Sequence, residues 1–170
     1  MNYIGFSFSP FLEILDNAVL AWGLIACGLA QLSKLIFELI KNRRFRPAVL
    51  LETGGMPSSH SALLTGTAAG IGLQFGFSNS EFALATTVAF VVMYDASGIR
   101  RAAGFTAERV NKLPTKIWSS PPENLLKENL GHSRLEVLIG GLIGPAIALP
   151  GIVFIGSPLH LLQMIGFILG

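Results

Sequence analysis

Charge is scarce in this chain. Asp, Glu, Lys and Arg make up 13% of its 170 residues, against roughly 25% in an average soluble domain. A soluble body of 18.1 kDa needs more charge than this to cover its surface. Cysteine is scarcer still. Cys27 stands alone, which excludes an internal disulfide and a cysteine-based metal site. Residues 1–17 hold no Lys or Arg, so they are not expected to act as a signal peptide, which needs a basic start. There is no internal repeat and no low-complexity tract. The net charge of +2 is too small to point to nucleic acid. A disordered tail, a collagen and a disulfide-stapled secreted module are all excluded.

Apolar residues are what the chain has in quantity. They form 51% of it, and the mean hydropathy is +0.60. The expectation is one integral membrane domain over residues 1–170, an all-α polytopic helical bundle. A spanning helix needs about 20 apolar residues. Four spans are expected, at 18–40, 61–77, 82–96 and 135–155. The second is rich in Gly, Ala and Thr, which suits close helix packing more than lipid contact. The fourth contains Pro145 and Pro150, expected to interrupt it. The short apolar stretch from Leu159 to Gly170 is expected to be partial or re-entrant, or a fifth span if the fourth breaks at Pro150. Phe6, Phe8 and Phe11, with Glu13 and Asp16, suggest an N-terminal piece at the interface. Gly66-x-x-x-Gly70 and Gly140-x-x-x-Gly144 could pack helices within a chain or between chains, which leaves a homo-oligomer open.

The few cations are not scattered. One group is Lys34, Lys41, Arg43, Arg44 and Arg46. The other is Arg100, Arg101, Arg109, Lys112, Lys116, Lys127 and Arg134. Four spans put both groups on one side, leaving Glu13, Asp16 and Glu81 on the other. The positive-inside rule then places the N-terminus outside and the basic loops in the cytoplasm or an equivalent compartment such as a stroma.

Three polar clusters share that basic side. Gly54-Gly55-Met56-Pro57-Ser58-Ser59-His60-Ser61 opens the second span. Glycines let backbone approach a ligand, and a serine-rich helix start suits an anion. His60 is placed to exchange a proton beside it. A Gly-rich turn with a serine N-cap would explain Ser58 or Ser59, but not the histidine. Asp95-Ala96-Ser97-Gly98-Ile99-Arg100-Arg101 closes the third span. An acid at a membrane boundary needs a partner, and Arg100 or Arg101 is adjacent. Either arginine could also grip phosphate. Lys127 through Glu136 opens the fourth span. His132 and Glu136 are four apart and share a helical face. A carboxylate on one ring nitrogen leaves the other free as nucleophile or base. Ser133 and Glu136 also fit a capping box, and one carboxylate is not expected to serve both fully. His160, in an apolar context, is expected to be structural or interfacial.

The first cluster resembles the Pro-Ser-x-His motif of the type-2 phosphatidic acid phosphatase and vanadium haloperoxidase superfamily. The chain is similar to that superfamily's small divergent membrane branch, the acid phosphatase/vanadium haloperoxidase-related proteins. There GGMPSSHSA, D-A-S-G-x-R-R and L-G-H-x-x-x-E-V recur in this order. The resemblance covers roughly residues 18–150. It implies a helical fold and hydrolysis of phosphomonoesters without metal or cofactor. By that resemblance His132 would attack phosphorus, Glu136 would orient it, and His60 would protonate the leaving oxygen. Ser58, Ser59 and the backbone after Gly55 would cradle the phosphate, with Ser61 and Asp95 beside the site.

Two departures concern the phosphate-binding cations. The superfamily's first motif has Lys, six residues, then Arg-Pro. Here Arg46-Pro47 is present, but Leu39 holds the lysine position. No Ser-Arg pair lies five residues before His132. Arg100, Arg101, Lys127, Arg46 and Lys34 are the candidates. The leading expectation is a phosphatase acting on a lipid phosphate or diphosphate monoester through a phosphohistidine, its tail in the bilayer and its phosphate at the basic surface. The alternatives are a non-catalytic subunit binding a lipid phosphate or other anion, and, behind it, a small transporter with a broken helix. The long segment 98–131 is expected to hold a short helix near 102–113, a cap over the site, and a mobile second half.

Overall fold

The computed structural model describes residues 9–43, 45, 47–50, 54–114 and 125–166. Among these there are seven α-helices and no strand. They are α1 (Ser9–Asp16), α2 (Ala18–Asn42), α3 (Ser59–Phe75), α4 (Ser80–Ser97), α5 (Ile99–Asn111), α6 (Arg134–Phe154) and α7 (Pro158–Met164), with one 3-10 turn at Pro47–Leu50. Most starts carry a side-chain cap that satisfies a backbone N–H left over by the helix. Asn17 caps α2, Ser58 caps α3, Asn79 caps α4, Ser133 caps α6 and Ser157 caps α7.

Among the described residues three stretches are long and apolar enough to cross a membrane: Ala18–Ile40, the α4–α5 run, and Arg134–Phe154. This is an integral membrane protein of helical architecture. The fourth long helix, α3, has 17 residues, about 25 Å at 1.5 Å per residue. It packs against α2, α4 and α6, and Ala62, Gly66, Ala68, Gly70 and Gly72 are buried. A helix enclosed by other helices gains little from bulky lipid-facing side chains, so small residues dominate it.

The close α3–α6 crossing settles what the two glycine pairs do. A Cβ on Gly66 would lie 3.1 Å from the Gly144 carbonyl oxygen. One on Gly144 would run into the Ala62 carbonyl and the Gly66 amide, and one on Gly140 into the Ser58 carbonyl. Both small-residue patterns are thus used within one chain.

α6 differs from expectation. It runs unbroken through Pro145 and Pro150. Gly144, Ala148 and Gly151 are buried on either side of the prolines, and a Cβ on Gly151 would strike the Trp22 indole. Tight packing against α3 and α2 holds the helix through both prolines, as neighbouring helices do in membranes. With α6 intact, α7 is not the second half of a broken span. Its seven residues cover about 10 Å, and no fifth span is built among the described residues.

α1 and α7 meet at the far end, joined where Ser157 Oγ donates to Asp16 Oδ1 at 2.6 Å. Trp22 Nε1 donates to the Gly156 carbonyl beside them at 2.9 Å. His160 belongs to this end. Phe6 and Phe8 lie outside the described residues, as does the segment 115–124 expected to be mobile.

Candidate functional site

The helices alternate in direction, so one end of the bundle collects the C-terminal turns of α2 and α4 and the N-terminal turns of α3 and α6. All three polar clusters meet there through their backbones. Ser58 N–H donates to the Glu136 carbonyl at 3.1 Å, and His132 N–H donates to the Ala96 carbonyl at 2.9 Å. Gly131, with φ +77°, lies so close to the α4–α5 junction that a Cβ would approach the Ala96 carbonyl at 2.8 Å. Only glycine tolerates both the left-handed backbone and that approach. A Cβ on Gly54 would lie 3.4 Å from the Gly131 carbonyl. The segment before α6 is anchored from α5. Asn111 Oδ1 accepts from Leu126 N–H at 2.9 Å, and Asn111 Nδ2 donates to the Leu126 carbonyl and to Glu128 Oε1, each at 2.8 Å.

A cavity of about 430 Å³ opens at this junction. His132, Glu136, Gly55 and Arg101 line it, with Gly54, Gly131 and Ser133. The rest of the wall is Glu38, Val49, Phe105, Glu128, Asn129 and Leu130.

His132 is 7% exposed, and its Nδ1 lies 3.2 Å from Glu136 Oε2. An ionised carboxylate only accepts, so Nδ1 carries the proton and the lone pair is left on Nε2. The same Oε2 accepts from Ser133 N–H at 3.0 Å, and Ser133 Oγ accepts from Glu136 N–H at 3.3 Å. One carboxylate oxygen therefore completes the capping box and orients the histidine. The two uses, expected to compete, coincide, because His132 immediately precedes the N-cap.

Burial pushes the His132 imidazole below its ordinary 6.5. The Glu136 hydrogen bond opposes this, while the charges of Lys34 and His60 add to it. The neutral ring, the form with a lone pair to offer, is thus the native one near neutral pH.

Sequence comparison decides the family at this point. The profile of the Divergent PAP2 family matches residues 15–147, which span all three clusters. The chain belongs to the Divergent PAP2 family. It is also similar to the "Uncharacterized membrane protein YuiD" of Bacillus subtilis (strain 168), with 36% identity over 151 residues, 81% of this chain and 96% of that protein. No solved structure matches it.

In this Divergent PAP2 protein the other expected residues are distributed unevenly. Ser58 is 0% exposed, and its Oγ accepts from Ser61 N–H at 3.3 Å and from Ser61 Oγ at 2.9 Å. Ser59 and Ser61 are buried as well. These serines start α3 and fill its junction with α6, and none of them lines the cavity. Pro57 precedes the N-cap and is not in the helix's first turn.

His60 is exposed on α3 and close enough to act on His132 electrostatically, but it is not part of the wall. Arg100 Nε donates to Asp95 Oδ2 at 2.6 Å, and neither residue is on the cavity wall. The Arg101 guanidinium lies 5.5 Å from the centre of the Phe105 ring. Lys127 is exposed, and Lys34 is 4% exposed within the bundle. Arg44, Arg46 and Lys116 lie outside the described residues.

Glu38 and Phe105 were not singled out from sequence. Each sits one turn beyond a residue that was, Lys34 and Arg101. α5 begins at Ile99, three residues before the expected helix.

Proposed function

We propose that this protein is a membrane phosphatase for an amphiphilic phosphate monoester, a lipid phosphate or diphosphate. The observation that carries the reading is a buried His132 on a cavity wall, its Nδ1 held by Glu136 and its Nε2 without a hydrogen-bond partner among the described residues. α3 counts as a fourth crossing in this reading. The cavity and both basic segments then share the cytoplasmic or stromal side by the positive-inside rule. The ester's tail stays in the bilayer beside the helices, and its phosphate enters the cavity.

His132 Nε2 attacks phosphorus, forming an N–P bond as the P–O bond to the alcohol breaks. The departing alkoxide takes a proton from His60. Water then attacks the phosphohistidine and gives a proton back to His60 as the N–P bond breaks, releasing inorganic phosphate and restoring both imidazoles. Arg101 is the described cation on the wall, and it offsets charge on the equatorial oxygens. Family membership supports the reading, as does the convergence of the three clusters.

The wall also favours a second reading. Glu38, Glu128 and Glu136 share it with Arg101, and Arg100 is engaged by Asp95. Three carboxylates oppose the charge on the oxygens of a transferring phosphoryl group, so a subunit that holds a singly charged lipid phosphate at Arg101 without turnover is the second reading.

Phosphate release by the detergent-purified protein, assayed over a panel of lipid phosphates and diphosphates, separates the two. Release from at least one, blocked by orthovanadate, is the expected result. Orthovanadate binding without release supports the binding subunit. Neither release nor binding refutes both.

A further inference from the structure

Buried charge in a membrane helix is costly, and it persists only where it is paired and used. Among the described Lys and Arg side chains one is buried, Lys34 of α2. It lies on the inward stripe Val19, Gly23, Ala26, Ala30, Lys34, whose members are all buried. The next position on that stripe, Glu38, lines the cavity. Lys34 is therefore one helical turn, about 6 Å, beneath the wall that carries His132 and Glu136. It is not itself part of the wall, so a phosphate in the cavity would not meet its ammonium directly. Its charge interacts with Cys27 and Glu136 and reaches His132.

We propose that Lys34 is a positioning residue whose ammonium offsets the charge of Glu136, so that this carboxylate orients His132 without protonating it. The inference rests on His132 being the nucleophile. A carboxylate beside a histidine ordinarily favours imidazolium, and imidazolium has no lone pair with which to attack phosphorus. The arrangement resolves that conflict. Glu136 supplies direction through one hydrogen bond, burial of the ring is the larger influence against protonation, and the buried Lys34 cation adds to it against the pull of Glu136. The charged and titratable groups around His132 are Glu136 from α6, Lys34 and Glu38 from α2, His60 from α3, Arg101 from α5 and Glu128 from the preceding segment. Of the cations in this set, Lys34 is the one enclosed by protein, where solvent screens it least.

The test uses the full chain purified in detergent, with histidine ring signals followed by NMR across pH and orthovanadate as the phosphate probe. Lys34→Met is expected to raise the His132 titration midpoint while orthovanadate binding at high pH stays near wild type. If the protein turns over, kcat near pH 6 should drop about tenfold, with KM changed less than about twofold. Lys34→Arg should retain the wild-type midpoint. Should Lys34→Met fail to fold, Lys34→Met/Glu136→Gln should recover folding, because removing both charges leaves neither one buried alone. An unchanged His132 midpoint with orthovanadate binding weakened about tenfold would make Lys34 a phosphate ligand and overturn the proposal. Failure of the double variant to recover folding would overturn it too. Absence of phosphate release by the wild-type protein counts against the phosphatase reading alone, since the midpoint is measured independently of turnover.

Discussion

The two ends of the bundle each carry a cavity walled partly by carboxylates. The far one, lined by Glu13, Asp16 and Glu81 with Asn17 and Gln74, measures about 550 Å³ and is the larger. The one at the α3 and α6 starts measures about 430 Å³. Size therefore does not identify the site. Among the described residues the far cavity is lined by no histidine and no cation, and Asp16 there is tied to Ser157, joining α1 to α7. The near cavity pairs an oriented, neutral histidine with a guanidinium. A carboxylate that closes a helix connection is structural. A carboxylate that fixes a tautomer beside an open volume is equipment for chemistry.

The sharpest way to break this contrast is at the histidines. His132→Ala is expected to lower turnover by about a thousandfold or more, while His160→Ala at the far end leaves it within about twofold. Equal losses in a lipid-phosphate assay would erase the distinction. Glu136→Gln comes next. It should cost about ten- to a hundredfold in kcat, as loss of an orienting partner commonly does, and about 1 kcal/mol of stability through the weakened capping box. Thermal melting and kinetics on the same sample separate the two losses.

Packing offers a third comparison. Gly140→Ala puts a methyl into the Ser58 carbonyl, so a loss of about 1–3 kcal/mol is expected. Gly28→Ala meets nothing within 4 Å and should be neutral or slightly stabilising. Denaturation of both variants in one detergent tests this. Oligomeric state should be unchanged in both, because the α3–α6 glycines are engaged within the chain.

The pH profile gives a fourth test. Burial holds His132 below 6.5, so the acid limb of kcat/KM should lie below that value. The stability sign follows from the same shift. The native state prefers the neutral ring, so this group's contribution is complete above about 6.5 and declines as pH falls below it. The smallest effect belongs to the far cavity. Glu81→Gln should leave turnover unchanged and shift stability by less than about 0.5 kcal/mol.

Much of this arrangement was legible in the residues. Apolar run lengths located the four long helices to within a few residues, because lipid exposure forces a continuous apolar face. The three clusters shared a side because alternating helices return their ends to it. The roles of the serines were not legible. A serine at a helix start satisfies either a ligand or its own backbone, and spacing does not distinguish them. Ser58 and Ser61 satisfy α3 and each other. Pro145 and Pro150 misled for a related reason: a proline breaks an isolated helix, but packing against α3 and α2 keeps this one continuous. Lys34 read as one more cation near a basic loop. Its burial depends on how α2 is rotated against α3 and α6, which local sequence does not show.

The central claim is that His132 forms a bond to phosphorus. Its most direct test is rapid quenching of the purified protein with a labelled lipid phosphate that it hydrolyses, followed by mapping of the label. The account predicts acid-labile, base-stable phosphate on the peptide containing His132, absent from His132→Ala and retained by His160→Ala. Steady phosphate release with no label on that peptide, or with the label on another residue, would contradict it.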